Sequence, residues 1–159
     1  PRLCVPISTV LSRQIRFLIQ LIVFVLLYIL SGQGGFCWQM LYTPLLVVEV
    51  MLLSLGFGLL IASFTTKYKD LTVLITFLMQ IWMYATPIVY PTSKIPESLR
   101  MIFMLNPMAP IVETFRSIWF TNEIMPTEYL LLSVVTTGLI LSLGAVLFQK
   151  AQKNFLDTV

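Results

Sequence analysis

Long apolar stretches without charge dominate this chain and decide the solvent in which it folds. Residues 71–90 and 129–148 are each 20 residues long and contain no charged side chain. A helix needs about 20 apolar residues to cross the ~30 Å hydrocarbon core of a bilayer. These stretches therefore predict two transmembrane helices, and the segments between the apolar stretches are too short to fold as a soluble catalytic domain.

Two further spans are expected in the first part of the chain. Residues 17–48 contain no charge, so the break between the spans has to be found from composition. The run Ser31-Gly32-Gln33-Gly34-Gly35 indicates a turn, because glycine and polar residues do not readily continue a lipid-facing helix. We therefore expect spans near residues 15–31 and 41–64, and an all-α membrane protein with about four transmembrane helices.

Charged side chains lie beside one of these spans and inside the other. Arg13 and Arg16 are long enough to let the first span extend backward through Ile15 while their charges reach the interface. Glu49 lies inside the second span, whose many apolar residues outweigh the roughly 3 kcal/mol penalty for one acid. An acid within a membrane is a functional candidate, although Glu49 is also close enough to the outer end of its helix to reach water.

The placement of basic residues predicts the orientation of the spans. Seven of the ten basic residues fall on one side of a four-span topology: Arg2, Arg13, Arg16, Lys67, Lys69, Lys150 and Lys153. Short loops rich in Lys and Arg stay in the cytoplasm. We therefore expect a multi-pass protein with both ends of this chain in the cytoplasm and with residues 31–40 and 91–128 outside.

The residue types that are absent exclude several classes of chemistry. The chain has no histidine, which excludes Ser-His-Asp triads, Cys-His dyads and HExxH zinc sites. It also lacks a GxxxxGK[ST] phosphate loop, so P-loop hydrolysis of ATP is not expected of it. No cofactor or metal is expected in this chain, and any energy for its work has to come from another polypeptide.

Two sets of small or polar residues occur in the second span. Ser54, Gly58 and Ala62 recur every four residues, which predicts a face where another helix approaches closely. Glu49, Gly56 and Ser63 recur every seven residues and form a polar stripe that we expect to look away from that packing face. Such a stripe is suited to line a passage.

The third span carries distinctive residues at its two ends. Asp70 precedes it and is expected to cap the first turn. The run Thr86-Pro87-Ile88-Val89-Tyr90-Pro91 predicts a kink and then a stop. Trp82, Tyr84 and Tyr90 are typical of an aromatic belt at the interface, but rings that face a channel also suit stacking on sugars.

The outer segment contains two helices too short to span. One starts at Pro96 and runs toward Leu105. Asn106 then caps a second helix, with Pro107 in its first turn. The apolar face of this helix comprises Met108, Ile111, Val112, Phe115, Ile118 and Trp119, and its opposite side comprises Ala109, Glu113, Arg116 and Ser117. We expect an amphipathic helix at the outer interface, serving either as a passive element or as a lid over an exit.

Several of these runs, in this order, resemble a known family. The runs KYKD, QIWMYATPIVYP, LNPM with a following ETFR, and FQKAQKNFLDTV look like the bacterial membrane permease of polysaccharide and polyol-phosphate ABC exporters. The resemblance covers essentially the whole chain and implies export of lipid-linked O-antigen, capsule or teichoic-acid chains. It also implies that the family's amphipathic N-terminal helix and first two spans precede this stretch.

The resemblance implies partners and residue roles. The partners are an ABC ATPase that supplies ATP and Mg, a second permease copy, the polymer and membrane lipids, but no nucleic acid. Residues that would contact the ATPase are Pro1, Arg2 and Pro6 in one loop and Lys67, Tyr68, Lys69 and Asp70 in another. Residues that would lie along the passage are Tyr84, Thr86, Pro87 and Tyr90, to which the residues alone add Glu49 and Trp82. Those of the external gate helices would be Asn106, Pro107, Glu113 and Arg116.

Three alternatives to a polymer permease remain at this stage. One keeps the fold and exchanges the polymer for a drug or a lipid. Another is a membrane-embedded transferase acting on lipid-linked sugars, which needs several acids at one membrane level, whereas Glu49 alone is clearly within a span. The last is a structural membrane subunit without nucleotide-dependent activity.

Overall fold

Helices make up the secondary structure along the parts of the chain that the structure describes. The computed structural model describes residues 4–32, 38–67, 70–86, 88, 96, 103–121 and 127–156. Its α-helices are α1 (Cys4–Leu30), α2 (Thr43–Lys67), α3 (Leu71–Ala85), α4 (Met108–Arg116) and α5 (Thr127–Leu156). A 3-10 helix (Trp38–Tyr42) leads into α2, and a π-helical turn (Ser117–Thr121) continues α4. The predicted all-α class is confirmed.

The apolar helices differ in length. Three of them, within α1, from the 3-10 helix through α2, and within α5, are long and apolar enough to cross a bilayer. In contrast, α3 has 15 residues, which is about 22 Å at 1.5 Å per residue and shorter than the ~30 Å hydrocarbon core. The continuous helix α3 therefore covers only part of the third apolar stretch of the sequence.

Both ends of α3 differ from the sequence expectations. Thr86 has an extended backbone with φ −91° and ψ 132°, because a residue before proline is disfavoured in the helical region. The helix therefore stops at Ala85, and the predicted kink inside a longer helix is wrong. Asp70 occupies the N-cap position with a helical backbone and makes no side-chain capping hydrogen bond. Its predicted capping role is wrong, since a capping side chain usually extends from a β-region backbone.

The turn after α1 begins at the predicted place. The Ser31 backbone N–H donates to Leu27 O at 2.9 Å, and the Ser31 hydroxyl donates to Tyr28 O at 2.7 Å. Gly32 then takes the left-handed backbone conformation with φ 64°, which ends the helix. Glycine adopts this conformation readily because it has no Cβ. At its other end α1 extends back to Cys4, so Arg13 and Arg16 lie inside the helix.

The most extensive helix contact joins α2 and α5. The two helices run parallel, because Glu49 meets Ser133 and, farther along both helices, Gly56 meets Gly144. Gly56 of α2 and Gly144 of α5 allow their backbones to meet. A Cβ on Gly144 would lie 2.6 Å from Gly56 O, and a Cβ on Gly56 would lie 2.9 Å from Leu141 N. Real Cβ atoms do not approach other atoms that closely, so glycine is required at both positions for this separation.

This contact reverses the assignment of faces on α2. Glu49, Gly56 and Ser63 are buried on the packing side. Ser54 is exposed, and a Cβ on Gly58 would meet nothing within 4 Å. The prediction that the four-residue repeat forms the helix contact is therefore wrong within this chain, because the seven-residue repeat supplies it.

The amphipathic helix α4 packs against the bundle. Ile111, Ile118 and Trp119 belong to one buried apolar cluster together with Leu46 of α2. Ala109 is completely buried, so its predicted place on the exposed side is wrong. The apolar face of α4 is therefore covered by protein and not only by the membrane interface. The predicted helix from Pro96 toward Leu105 lies mostly outside the described residues.

Candidate functional site

The end of α3 and the start of α4 meet beside the middle of α2. Trp82 of α3 packs edge-on against Phe57 of α2, with ring centroids 5.6 Å apart. Thr86 follows one helical turn later and lines the same groove as Leu53, which lies near the middle of α2. Together α3 and α4 therefore resemble one membrane span that is interrupted part-way. The backbone N–H and C=O groups at such an interruption need hydrogen-bond partners from protein or water.

Asn106 connects the two sides of this break. Its side-chain N–H donates to the Thr86 hydroxyl at 2.8 Å, and its side-chain oxygen accepts from the Met108 backbone N–H at 3.1 Å. The Thr86 hydroxyl in turn donates to Trp82 O at 3.0 Å. The predicted cap at Asn106 is confirmed, and the same side chain also holds the end of α3.

A second set of hydrogen bonds fixes the start of α4 to α2 and α5. The Ser133 hydroxyl lies 2.6 Å from Glu49 Oε1 and 2.8 Å from Pro107 O. Glu49 and Ser133 are both buried. We call Glu49, Thr86, Asn106, Pro107 and Ser133 the junction. Its hydrogen bonds connect α2 and α5 to the start of α4 and to the end of α3, because Asn106 and Pro107 are neighbours in the sequence.

A charged pair lies above the junction on α4. Arg116 forms an ion pair with Glu113 at 2.9 Å, three residues earlier on the helix. Its guanidinium also donates to Ile88 O at 3.0 Å, two residues beyond Thr86. Arg116 therefore makes a second link between α4 and the segment that follows α3. Because the pair is partly exposed, its contribution to stability is about 0–1 kcal/mol.

An aromatic cluster holds the far end of α4 against α1. Trp119 makes edge contacts with Phe24 and Tyr28, with centroid distances of 5.1 and 5.0 Å. Phe115 lies 5.7 Å from Phe24, and the Trp119 indole N–H donates to the Thr43 hydroxyl at 3.2 Å. This contact places the end of α4 at the start of α2. The segment formed by α4 and its π-helical turn therefore runs from the level of Glu49 to the level of Thr43.

Two grooves reach the junction. The first lies between α1, α2 and α3, has a volume of about 770 Å³, and is lined by residues that include Arg13, Trp82 and Thr86. The second lies between α2 and α5, has a volume of about 550 Å³, and is lined by residues that include Glu49 and Thr137. The buried Thr137 hydroxyl has no hydrogen-bond partner among the described residues. Both grooves are lined mainly by apolar residues with a few polar groups among them.

The structure brings part of the sequence-predicted site together. Glu49, Thr86, Asn106 and Pro107 meet in the junction, and Arg116 links Glu113 to the same region. Trp82 and Tyr84 lie on different sides of α3: the first packs on α2, whereas the second is 67% exposed.

The residues predicted to contact the ATPase either lie away from the junction or are not among the described residues. Asp70 is exposed at the opposite end of α3. The backbones of Pro6 and Lys67 are helical, and their side chains are outside the described set. The predicted residues that lie outside the described residues altogether are Pro1, Arg2, Tyr68, Lys69, Pro87 and Tyr90.

Sequence reasoning missed the residue that completes the junction. Ser133 contacts Glu49 across 84 positions of sequence. The available signal was the presence of Ser133 and Thr137 one turn apart in an apolar helix, because polar side chains within a membrane span usually face other helices. That spacing indicates a packed face of α5 but does not identify Glu49 as the partner.

Comparison with known proteins places these features in context. A family model described as "ABC-2 type transporter" matches residues 2–120. An O-antigen export system permease protein RfbA of Myxococcus xanthus is 24% identical over 161 residues, covering 100% of this chain and 62% of the relative. Two such permeases of Klebsiella pneumoniae are 23% and 26% identical, each covering 99% of this chain and 60% of the relative. The chain thus spans about three fifths of the length of these relatives.

Proposed function

Because this chain belongs to the ABC-2 type transporter family, we propose that it is the membrane permease part of an ATP-driven polymer exporter. The proposed cargo is a lipid-linked polysaccharide or polyol phosphate, moved from the cytoplasm across a bacterial cytoplasmic membrane. The observation that carries the proposal is the family match over residues 2–120. The printed name of the relatives, O-antigen export system permease, supports the choice of cargo.

The proposal assigns ATP hydrolysis to a separate subunit. The sequence contains no phosphate loop, and the described helices are apolar elements suited to a bilayer. The proposed contact with the ATPase consists of the segment containing Pro1, Arg2 and Pro6 and the connection from Lys67 to Asp70. Because basic residues favour the cytoplasmic side, these segments and both ends of the chain are assigned to the cytoplasm.

The proposal also requires a second permease copy, with the polymer passing between the two copies. A passage between copies is bounded by surfaces that are exposed in one copy. No described residue of α3 is buried, and Tyr84 is 67% exposed on the side away from Trp82. We therefore assign the exposed face of α3 to the passage and propose that Tyr84 on this face contacts the sugars of the polymer.

Two aromatic substitutions on α3 test this assignment. Tyr84→Ala is expected to slow polymer export several-fold, because Tyr84 lies on the exposed face of α3. Trp82→Ala is the matched aromatic control and is expected to lower stability by about 0.5–1.5 kcal/mol through loss of its pairing with Phe57. Export rate and melting temperature of the full-length protein are measured together. Normal export by Tyr84→Ala would remove this ring from the passage.

The partner assignment is tested by purification. The full-length parent of this chain is extracted from its native membranes in mild detergent, and its stoichiometric partners are identified by mass spectrometry. The expected partner is an ATPase subunit carrying a phosphate loop. Recovery of the parent without such a subunit, under conditions that preserve a known ABC exporter complex, would contradict the exporter assignment.

A further inference from the structure

The junction contains two hydrogen-bond acceptors that share one hydroxyl group. Ser133 Oγ lies 2.6 Å from Glu49 Oε1 and 2.8 Å from Pro107 O. Both distances are within hydrogen-bonding range for O–H···O contacts. A serine hydroxyl has one hydrogen, and a backbone carbonyl can only accept. When Glu49 is a carboxylate, the one hydrogen on Ser133 has to be shared between both acceptors in a weaker three-centre contact.

We propose that Glu49 is a protonated carboxylic acid in this structure and that its proton positions the start of α4. The Glu49 O–H donates to Ser133 Oγ, and the Ser133 O–H donates to Pro107 O. Each of these two hydrogen bonds then has its own hydrogen. Pro107 directly precedes α4 and follows Asn106, which bonds to the end of α3. Protonation of Glu49 therefore influences both sides of the break between α3 and α4.

The surroundings of Glu49 favour the neutral acid. Its side chain is 8% exposed, and a buried carboxylate without a cation is strongly disfavoured. Among the described residues lining the α2–α5 groove, the only other titratable group is Tyr42, and none is Lys or Arg. The charged groups of α4, Glu113 and Arg116, pair with each other at 2.9 Å.

The charged groups of α5 lie toward its ends. Glu128 is in its first turn, before Ser133, and Lys150 and Lys153 are near its other end. Neither Glu128 nor Lys150 lines the α2–α5 groove. Of the two basic residues of α1, Arg13 lines the α1–α2–α3 groove, and neither Arg13 nor Arg16 lines the α2–α5 groove that contains Glu49. No cation among the described residues that line the groove of Glu49 is therefore available to neutralise it, and a bound proton supplies the missing positive charge.

Loss of this proton has a defined structural consequence. When Glu49 releases its proton to water or a base of the medium, the single Ser133 hydrogen has two acceptors. The carboxylate takes it, because hydrogen bonds to charged acceptors are roughly twice as strong as neutral ones. Pro107 O then loses its bond to α5, and the start of α4 is released from the bundle. Glu49 is a positioning residue that acts on α4 through Ser133.

Infrared spectroscopy tests the protonation state independently of transport. The full-length protein is compared with its Glu49→Gln variant in lipid bilayers near neutral pH. The expected difference is loss of a protonated carboxylic-acid C=O band in the variant. Loss of carboxylate bands alone would overturn the proposal. Because no cargo or ATPase is needed, this result is separate from the success of the proposed function.

Thiol accessibility tests the attachment of α4. Thr114 is buried in α4 and lines the α2–α5 groove, so Thr114→Cys in a cysteine-free background reports release of this helix. Glu49→Gln keeps an N–H donor for Ser133 and is expected to react as slowly as the parent near neutral pH. Glu49→Leu and Ser133→Ala remove the connection and are expected to raise the reaction rate at least several-fold.

Two controls separate this effect from general loosening and from thiol chemistry. Ser63→Ala removes a buried hydroxyl that bonds only within α2, to Leu59 O at 2.7 Å, and is expected to leave the rate unchanged. Thiols react faster as pH rises, so each rate is divided by that of Glu49→Gln at the same pH. The ratio is expected to rise as Glu49 loses its proton. Rapid labelling of Glu49→Gln at neutral pH, like that of Glu49→Leu, would overturn the proposal.

Discussion

Replacing Gly144 with valine is expected to separate α2 from α5 and to abolish most export activity. A Cβ at this position would lie 2.6 Å from the Gly56 carbonyl oxygen and 3.2 Å from Leu59 Cβ. The first of these atoms belongs to the backbone and cannot rotate away. Forced overpacking costs about 1–3 kcal/mol, and a clash with a backbone atom falls toward the upper end. The loss is measured as a lower unfolding midpoint of the full-length protein in detergent.

Two other glycines provide matched controls for this prediction. A Cβ on Gly58 or Gly138 would meet nothing within 4 Å in this chain. Since alanine is favoured over glycine in a helix by up to about 1 kcal/mol, Gly58→Ala and Gly138→Ala are expected to leave stability unchanged or slightly higher. A Gly144→Val protein as stable as these controls would show that α2 and α5 do not approach closely in the membrane.

Replacing Asn106 with leucine is expected to remove the direct link between α4 and the end of α3 while both helices remain formed. The substitution removes the hydrogen bond to Thr86 at 2.8 Å and the cap to Met108 at 3.1 Å. A lost cap and a lost part-buried hydrogen bond together cost about 1–3 kcal/mol. Export is expected to fall about tenfold, because a cost of about 1.4 kcal/mol to the transporting arrangement lowers its population tenfold relative to one in which α4 is detached from Thr86. Initial export rate is the measurement.

The Thr86 partner separates a specific connection from local damage. Thr86→Val removes the hydroxyl, whereas Thr86→Ser keeps it. In a double-mutant cycle, Thr86→Val and Asn106→Leu are expected to be less harmful together than the sum of the single effects, because they remove the same bond. Ser117→Ala, which removes a hydroxyl that donates to Thr114 O at 3.0 Å, serves as the control on the π-helical turn that continues α4. Additive effects of Thr86→Val and Asn106→Leu would contradict the connection.

The helices were predictable because apolar length and turn residues act locally. Gly32 ends α1 with a positive φ, as the glycine-rich run indicates. Asn106 caps α4 for the same local reason, since its side chain lies within reach of the next turn. The extent of α3 was not predicted correctly. Apolar composition extends beyond Ala85, but Pro87 disfavours the helical region for the preceding residue, and Thr86 is extended.

The packing partners were not predictable from one sequence. Small residues at spacings of four and seven on α2 identify two faces, but they do not say which face meets another helix. Gly56 is selected only because Gly144 lies opposite it. The function of Glu49 similarly depends on Ser133, which is distant in sequence. Spacing along one helix therefore predicts candidate faces, whereas their pairing follows from tertiary structure.

Vesicle transport tests the central assignment most directly. The full-length parent and its co-purified ATPase are reconstituted in sealed vesicles with lipid-linked polysaccharide on the ATPase side, and appearance of the polymer on the opposite side is followed. We expect transport that requires both ATP and the permease, with Asn106→Leu slowing it about tenfold. An intact complex that hydrolyses ATP while the polymer stays on its original side would contradict the assignment as a polymer exporter.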